Sequence, residues 1–460
     1  MVLQERFWPL IELHSGRCWT EPATRLRRAD TLYVLSLRAV VCSFANNPRG
    51  VGYRMEIERL PLSIRLDVLY EMCDHPALVE VLLQLLSDPV ALSDLIQYVP
   101  LKTAKLVSCL QWLESVKRSL PAQLEDRYRQ LVEADTPEQR TDYRCGLRIG
   151  TFLADAGWFV HAAAILGLSL QQTVSGSDEE LIVLTQLLGT LSRSGKLVEA
   201  GHFYHRINLR MMVINPQDQN IHRADFPDLM ARVYHNLSLY HYENQEVALS
   251  YLHGVQSLEM LGRSSPTRLV WDVFRQLARA CLSHRYFSKA KLLLDQALAR
   301  AGTGYGLTSA PYAETLEDYA VYLLAQDNVD ASEDVFSVAQ FIYLELFGSR
   351  NLLLSLAQGS LTFGLCRQAF AMGRRDEALA HVTERLGAFQ RMMGPDHRLV
   401  VQLRRLLVTM RVILFKEDRL VGRILPRNAT TSIDVKKLRE TLDHPLPIDA
   451  VRKAFHECQE

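Results

Sequence analysis

No apolar run in this 460-residue chain reaches the roughly 18–20 residues that a membrane-spanning helix needs, so direct membrane insertion is not expected. Met1–Leu13 carries Glu5 and Glu12 and lacks the apolar core of a secretion signal. The eight cysteines include no C-x-x-C pair and sit mostly in apolar helical contexts, which favours free buried thiols over disulfides or a metal centre. Charge of either sign is in no excess: 52 Lys and Arg balance 52 Asp and Glu, leaving no global pull toward nucleic acid or anionic lipid. Catalytic signatures are missing too. There is no Walker loop, nucleophile elbow, His-Glu-x-x-His or dinucleotide fingerprint, so neither an enzyme nor a cofactor is expected. Gly302-Thr303-Gly304-Tyr305-Gly306 follows a helical rather than a strand pattern and reads as an inter-repeat turn. His202, His205, His235 and His241 lack a completing carboxylate or thiol cluster, and Trp158 reads as core.

What the chain does have is a repeated pattern of small and large residues. Phe274, Leu277, Ala278 and Cys281 line one helical face; a turn at Ser283-His284-Arg285 follows, then Ala290, Leu294 and Ala297. Leu316, Tyr319, Ala320 and Leu323, a turn at Gln326-Asp327-Asn328, then Ser332, Phe336 and Ala339 repeat it. Small residues stand where two helices must approach closely, which is the tetratricopeptide pattern. One hairpin cannot bury its own apolar face, so hairpins must stack. The equivalent second-helix residues are Ala162, Ala200, Ala248, Ala290, Ser332 and Ala378, spaced 38 to 48 apart, longer than the usual repeat of about 34. Asn208–Phe226 reads as an insertion loop.

The expected fold is therefore all-α: an α-solenoid of tetratricopeptide-like helical hairpins behind an N-terminal helical region. The divisions are a flexible lead-in (1–28), the N-terminal helical region (29–136), the repeat array (137–416) and an irregular tail (417–460). In the N-terminal region Asp30 reads as an N-cap for a helix from Thr31 to about Ala45. Asn46–Gly50 breaks it, and a second helix starts at Pro61 or Ser63.

Stacked hairpins leave a concave wall lined by their first helices. Helical position puts Asp272, Arg275 and Arg279 on that wall, then Glu314, Glu317 and Val321, then Ser360, Phe363 and Arg367; in the preceding unit it puts Met230, Val233, Leu237 and Tyr240 there. Carboxylates at Asp272, Glu314 and Glu317 attract a peptide Arg or Lys, while Arg275, Arg279 or Arg367 can take a carboxylate. The plain alternative is a solvated face with ordinary helix salt bridges.

Several runs resemble a known family. The runs Gly150–Trp158, Asp272–Gln276, Ala278–Cys281 and Thr315–Leu324 resemble segments of the amyloid protein-binding protein 2 family. Phe347-Gly348 and Met393-Gly394-Pro395-Asp396-His397 resemble the related kinesin light chain repeats. The resemblance runs from about Thr31 to about Met393; beyond Phe415 the tail departs from the family. It implies a non-catalytic substrate receptor of a cullin-2 RING ubiquitin ligase, carrying an elongin-binding box and a cullin-2 box. It further implies binding of C-terminal degrons containing Arg and Gly, and of the amyloid precursor protein tail. The implied location is cytoplasm and nucleus, with cytoskeleton or membrane reached through partners. Leu32, Ser36 and Val40 match the elongin box, with Ser36 in place of the usual Cys; Leu60, Pro61, Ile64 and Val68 match the cullin-2 box. Both would act as helix-in-groove anchors for elongin B–C and cullin-2. The alternatives are two helices packed on the array, or a cargo adaptor tying protein tails to microtubules or motors. The adaptor predicts that the Thr31–Met72 helices pack internally; the ligase receptor predicts that Leu32 and Leu60-Pro61 face solvent.

Overall fold

The computed structural model describes residues 32–47, 51–98, 103–134, 142–213, 226–307, 309–326, 328–347, 398–417 and 445–458, with scattered positions between 379 and 390. Every regular element among them is helical, as the periodicity requires. The lead-in, Thr31, most of the insertion loop and most of the sixth hairpin, including Phe363, Arg367 and Ala378, lie outside the described residues.

The N-terminal region comprises α1 (Leu32–Asn46), α2 (Val51–Arg59), α3 (Leu62–Met72), a 3₁₀ turn leading into α4 (Val79–Leu86), α5 (Pro89–Tyr98), α6 (Thr103–Ser115) and α7 (Leu120–Val132). The helix α2 stands between the expected break at Asn46–Gly50 and the helix starting near Pro61. Pro61 and Pro121 open helices where a missing N–H costs nothing, at the N-cap of α3 and in the first turn of α7. Leu66, Leu69, Met72, Leu82, Leu86, Leu92, Leu110 and Leu124 fill one core.

The array follows as five hairpins: α8 (Tyr143–Ala156) with α9 (Phe159–Gln171), α10 (Asp178–Ser194) with α11 (Leu197–Val213), α12 (Phe226–Glu243) with α13 (Val247–Met260), α14 (Thr267–Ser283) with α15 (Phe287–Tyr305), and α16 (Ala310–Ala325) with α17 (Val329–Phe347). Each first helix packs on the next, so α8, α10, α12, α14 and α16 form one wall. Gly157 and Gly195 end α8 and α10 in the left-handed conformation, at φ 100° and 77°. Gly150 is required by contact: a Cβ there would lie 2.5 Å from Leu166 Cγ.

The close helix–helix contact recurs twelve residues apart. Ser332 Oγ donates to Ala320 O at 2.8 Å, and Ser238 Oγ donates to Ser250 O at 2.8 Å. The third hairpin therefore uses Ser250, which is buried, and Ala248 is exposed. This corrects the expected register by two residues: a serine whose hydroxyl bonds the facing backbone suits a dry contact as well as alanine does. With the register shifted, Met230, Val233 and Leu237 turn into the core rather than onto the wall. The glycine-rich run is also corrected, since Gly302–Tyr305 forms the last turn of α15.

Two elements close the molecule. Helix α18 (Arg398–Glu417) buries Val400 and Leu403 in the N-terminal core. The tail expected to be irregular contains α19 (Ile448–Glu457), whose Ile448, Val451 and Phe455 enter the core of the fourth and fifth hairpins.

Candidate partner-binding surfaces

Helix α1 is divided lengthwise. Val41 and Phe44 are buried against the N-terminal core, and Tyr33 donates its hydroxyl to Asp67 Oδ2 at 2.7 Å. Asp67 also takes Lys105 at 2.6 Å, and Arg38 pairs with Glu71 at 3.0 Å, so the inner edge is fastened to α3. The opposite face carries Leu32, Leu35, Ser36, Ala39 and Val40, all exposed. Leu32 is 80% exposed and Val40 42%. A helix that leaves such a stripe in water presents unspent apolar area to a partner. The three residues matching the elongin box are thus together and accessible.

The cullin-2 box is split. Pro61 and Ile64 are exposed, Leu60 is half-buried against the core, and Val68 is 2% exposed. Val68 is therefore not available as an anchor, because it is part of the N-terminal core. Sequence spacing alone places Ile64 and Val68 on one stripe; tertiary packing covers only its second half.

On the wall formed by the first helices, Asp272, Arg275, Arg279 and Glu314 come together, but already paired. Arg275 donates to Glu314 Oε2 at 2.8 Å and also reaches Asp318. Arg279 donates to Asp318 Oδ1 at 2.7 Å. Asp272 accepts from Arg268 at 3.0 Å, and Arg268 lies 3.9 Å from Asp155 of α8. Arg193 of α10 joins Asp155 at 3.2 Å. Trp271 is fully buried beneath Arg268 and Arg275, whose guanidinium carbons stand 4.6 and 4.5 Å from its ring centre. Its indole N–H donates to Thr315 Oγ1 at 2.7 Å, tying α14 to α16. Glu317 is half-buried and Val321 is 47% exposed. Four guanidiniums (Arg193, Arg268, Arg275, Arg279) thus meet four carboxylates (Asp155, Asp272, Glu314, Asp318).

The electrostatics follow from that pairing. Burial pushes the Asp318 carboxyl up, but Arg275 and Arg279 outweigh burial and hold it below the ordinary carboxylate range. Asp272 behaves alike: Arg268, His235 and Arg275 overcome the penalty of burial. His235 of α12 faces this cluster, and its Nδ1 is buried without a hydrogen-bond partner. Burial lowers its pKa to about 4; Asp272 opposes the shift, while Arg193, Arg279 and Arg268 reinforce it. It is neutral at physiological pH.

Sequence reasoning missed Asp155, Arg193, Arg268 and Asp318, and weighed His235 only as a metal ligand. His235 is the instructive case. It lies three residues before Ser238, as Arg275 lies three before Ala278, so the corrected register puts it on the wall. Asp318 was legible only from its partners, which stand 39 and 43 residues earlier. Among the described residues no group of His, Cys, Asp and Glu could hold a metal ion. No described helix is long and apolar enough to cross a membrane.

No family model matches the chain. The chain spans about 63% of the length of the curated relatives it matches. These are amyloid protein-binding protein 2 of Rattus norvegicus and of Mus musculus, each 26% identical over 389 residues, or 82% of this chain. The protein is an all-α solenoid similar to amyloid protein-binding protein 2 across most of its own length.

Proposed function

We propose that this chain is a non-catalytic substrate-recognition subunit of a cullin-2, elongin B–C RING ubiquitin ligase. The observation that supports it most is the exposed apolar stripe of α1, Leu32–Leu35–Ser36–Val40, on a helix whose other edge is fastened to α3. A helix serving only internal packing would turn that stripe inward. On this reading elongin B–C takes α1, and cullin-2 takes Pro61 and Ile64 without Val68. The concave wall takes a target's chain end, either a C-terminal degron with Arg and Gly or, as the relatives' name suggests, an amyloid protein. Because the wall is already paired, a peptide Arg has to compete with Arg275 for Glu314. A peptide carboxylate has to compete with Asp318 for Arg279.

The deciding experiment is a pull-down with elongin B–C and cullin-2. Wild type should recover both, and Leu32→Ala with Pro61→Ala should lose at least about tenfold, since helix anchors of this kind carry much of the affinity. Recovery of neither partner by wild type ends the assignment. Binding of a peptide ending in Arg-Gly should weaken with Glu314→Lys and with Glu317→Lys. Unchanged affinity in both places the peptide site elsewhere.

A further inference from the structure

A groove on the second helices of the third and fourth hairpins stands apart from the wall. It lies between α13 and α15 and is filled by the chain's own α19. The contacts are specific rather than merely apolar. Ile448, Val451 and Phe455 are 5, 0 and 1% exposed and share a core with Leu258, Leu261 and Leu293. Phe455 lies near Tyr251, with Lys289 Nζ 5.3 Å from its ring centre. These residues recur at i, i+3 and i+7, the register by which an amphipathic helix enters a groove.

The polar side shows what the groove asks for. Helix α13 ends at Met260 on an extended Leu261, without a glycine cap. The last carbonyls of a helix have no partner within it. Arg452 supplies one. Its Nη2 donates to Leu261 O at 2.6 Å, Leu258 O at 3.1 Å and Glu259 O at 3.3 Å, and its Nε lies 3.2 Å from a Glu259 carboxylate oxygen. His456 meets the other Glu259 oxygen at 2.8 Å. At the leading end Arg263 donates to Asp449 at 2.9 Å. The extended backbone before the helix is gripped as well: Leu446 N donates to Gln296 Oε1 at 2.8 Å, and Arg300 donates to Leu446 O at 2.7 Å. A cation at the C-terminal end of α13 is favoured by the helix dipole, and one guanidinium satisfies several carbonyls at once.

We infer that the α13–α15 groove is a helix-recognition site for segments of the pattern Ile-x-x-Val-Arg-x-x-Phe, and that residues 445–458 are its internal ligand. The partner class is a protein carrying an amphipathic helix with an arginine between aliphatic and aromatic anchors. The site is built on the second helices α13 and α15 and shares no residue with the wall or with α1, so it is independent of the ligase reading. A tethered occupant competes at an effective concentration on the order of millimolar, so an outside helix gains access when the internal one is weakened.

The test uses the full chain and a fluorescent peptide of residues 445–458. Phe455→Asp vacates the groove in cis, and anisotropy should then show the peptide binding at least about tenfold tighter than to wild type. A peptide carrying Arg452→Glu should lose at least about tenfold on the same vacated chain. Should Phe455→Asp fail to fold by circular dichroism, the titration is run on a full chain carrying Arg452→Glu. Hydrogen exchange of wild type in excess peptide gives a further reading, because α19 amides should exchange faster as the helix is displaced. Equal binding to wild type and vacated chains, or equal binding of parent and Arg452→Glu peptides, overturns the inference. So does unchanged α19 exchange at saturating peptide.

Discussion

Asp318→Asn tests the paired wall most directly. Asp318 is 8% exposed and accepts hydrogen bonds from Arg275 and Arg279, both on the neighbouring first helix. Removing its charge leaves two guanidiniums facing a neutral amide. Breaking a buried pair by removing one partner costs about 3–5 kcal/mol. Arg275 keeps Glu314, and the Arg279 side chain is 38% exposed and regains water. The cost therefore falls at the low end, about 3 kcal/mol. At a urea sensitivity of about 1–3 kcal/mol per molar, the midpoint should fall by about 1–3 M by far-UV circular dichroism. The pH dependence fixes the cause. The folded carboxyl titrates below its ordinary 3.8, so its contribution is present above that value and is lost as pH falls through the lower folded one. The gap between variant and wild type should be flat from about pH 5 to 8 and should close below about pH 4. A midpoint within about 0.3 M of wild type, or a gap that grows on acidification, refutes the reasoning.

Other substitutions probe other links. His235 also loses stability on acidification, but because of burial: its folded pKa of about 4 lies below the ordinary 6.5, so stability is full above 6.5 and falls as pH drops toward 4. The loss amounts to at most about 3 kcal/mol, and His235→Asn should flatten that part of a urea-midpoint profile. Gly195→Ala meets two obstacles, φ at 77° and an added Cβ 2.6 Å from Arg405 Nη2. It should cost about 1–3 kcal/mol in thermal or urea unfolding, with Arg405→Ala relieving the contact but not the backbone strain. Gly150→Ala should cost about 1–3 kcal/mol by driving a Cβ into Leu166, and Leu166→Ala should not restore stability because it opens a cavity elsewhere.

Some of this architecture could be read directly from residue order. The hairpins announce themselves because Ala278 with Ala290, and Ala320 with Ser332, stand twelve apart between large apolar residues. The third hairpin was misread by two residues because Ala248 resembles the expected small residue more than Ser250 does. Only the facing helix shows that Ser238 satisfies Ser250's backbone. The α1 stripe was legible as a motif, but its exposure depends on which edge α3 takes. The tail shows the limit most clearly. Pro445 and Pro447 suggest irregular chain, yet the ten residues after them form a helix because a groove some 150 to 190 positions earlier accepts their apolar edge.

Residue order by itself determined the all-helical class, the stacking of hairpins and the approximate location of the wall, because helical periodicity and close-contact sterics act over a dozen residues. Tertiary structure alone decided which charges on that wall remain available and which side of α1 meets water. It also decided that Val68 is covered and that α19 fills a groove on α13 and α15. Ion pairing and burial are set by neighbours about 40 to 190 residues away in the chain, and no local pattern encodes which neighbour arrives.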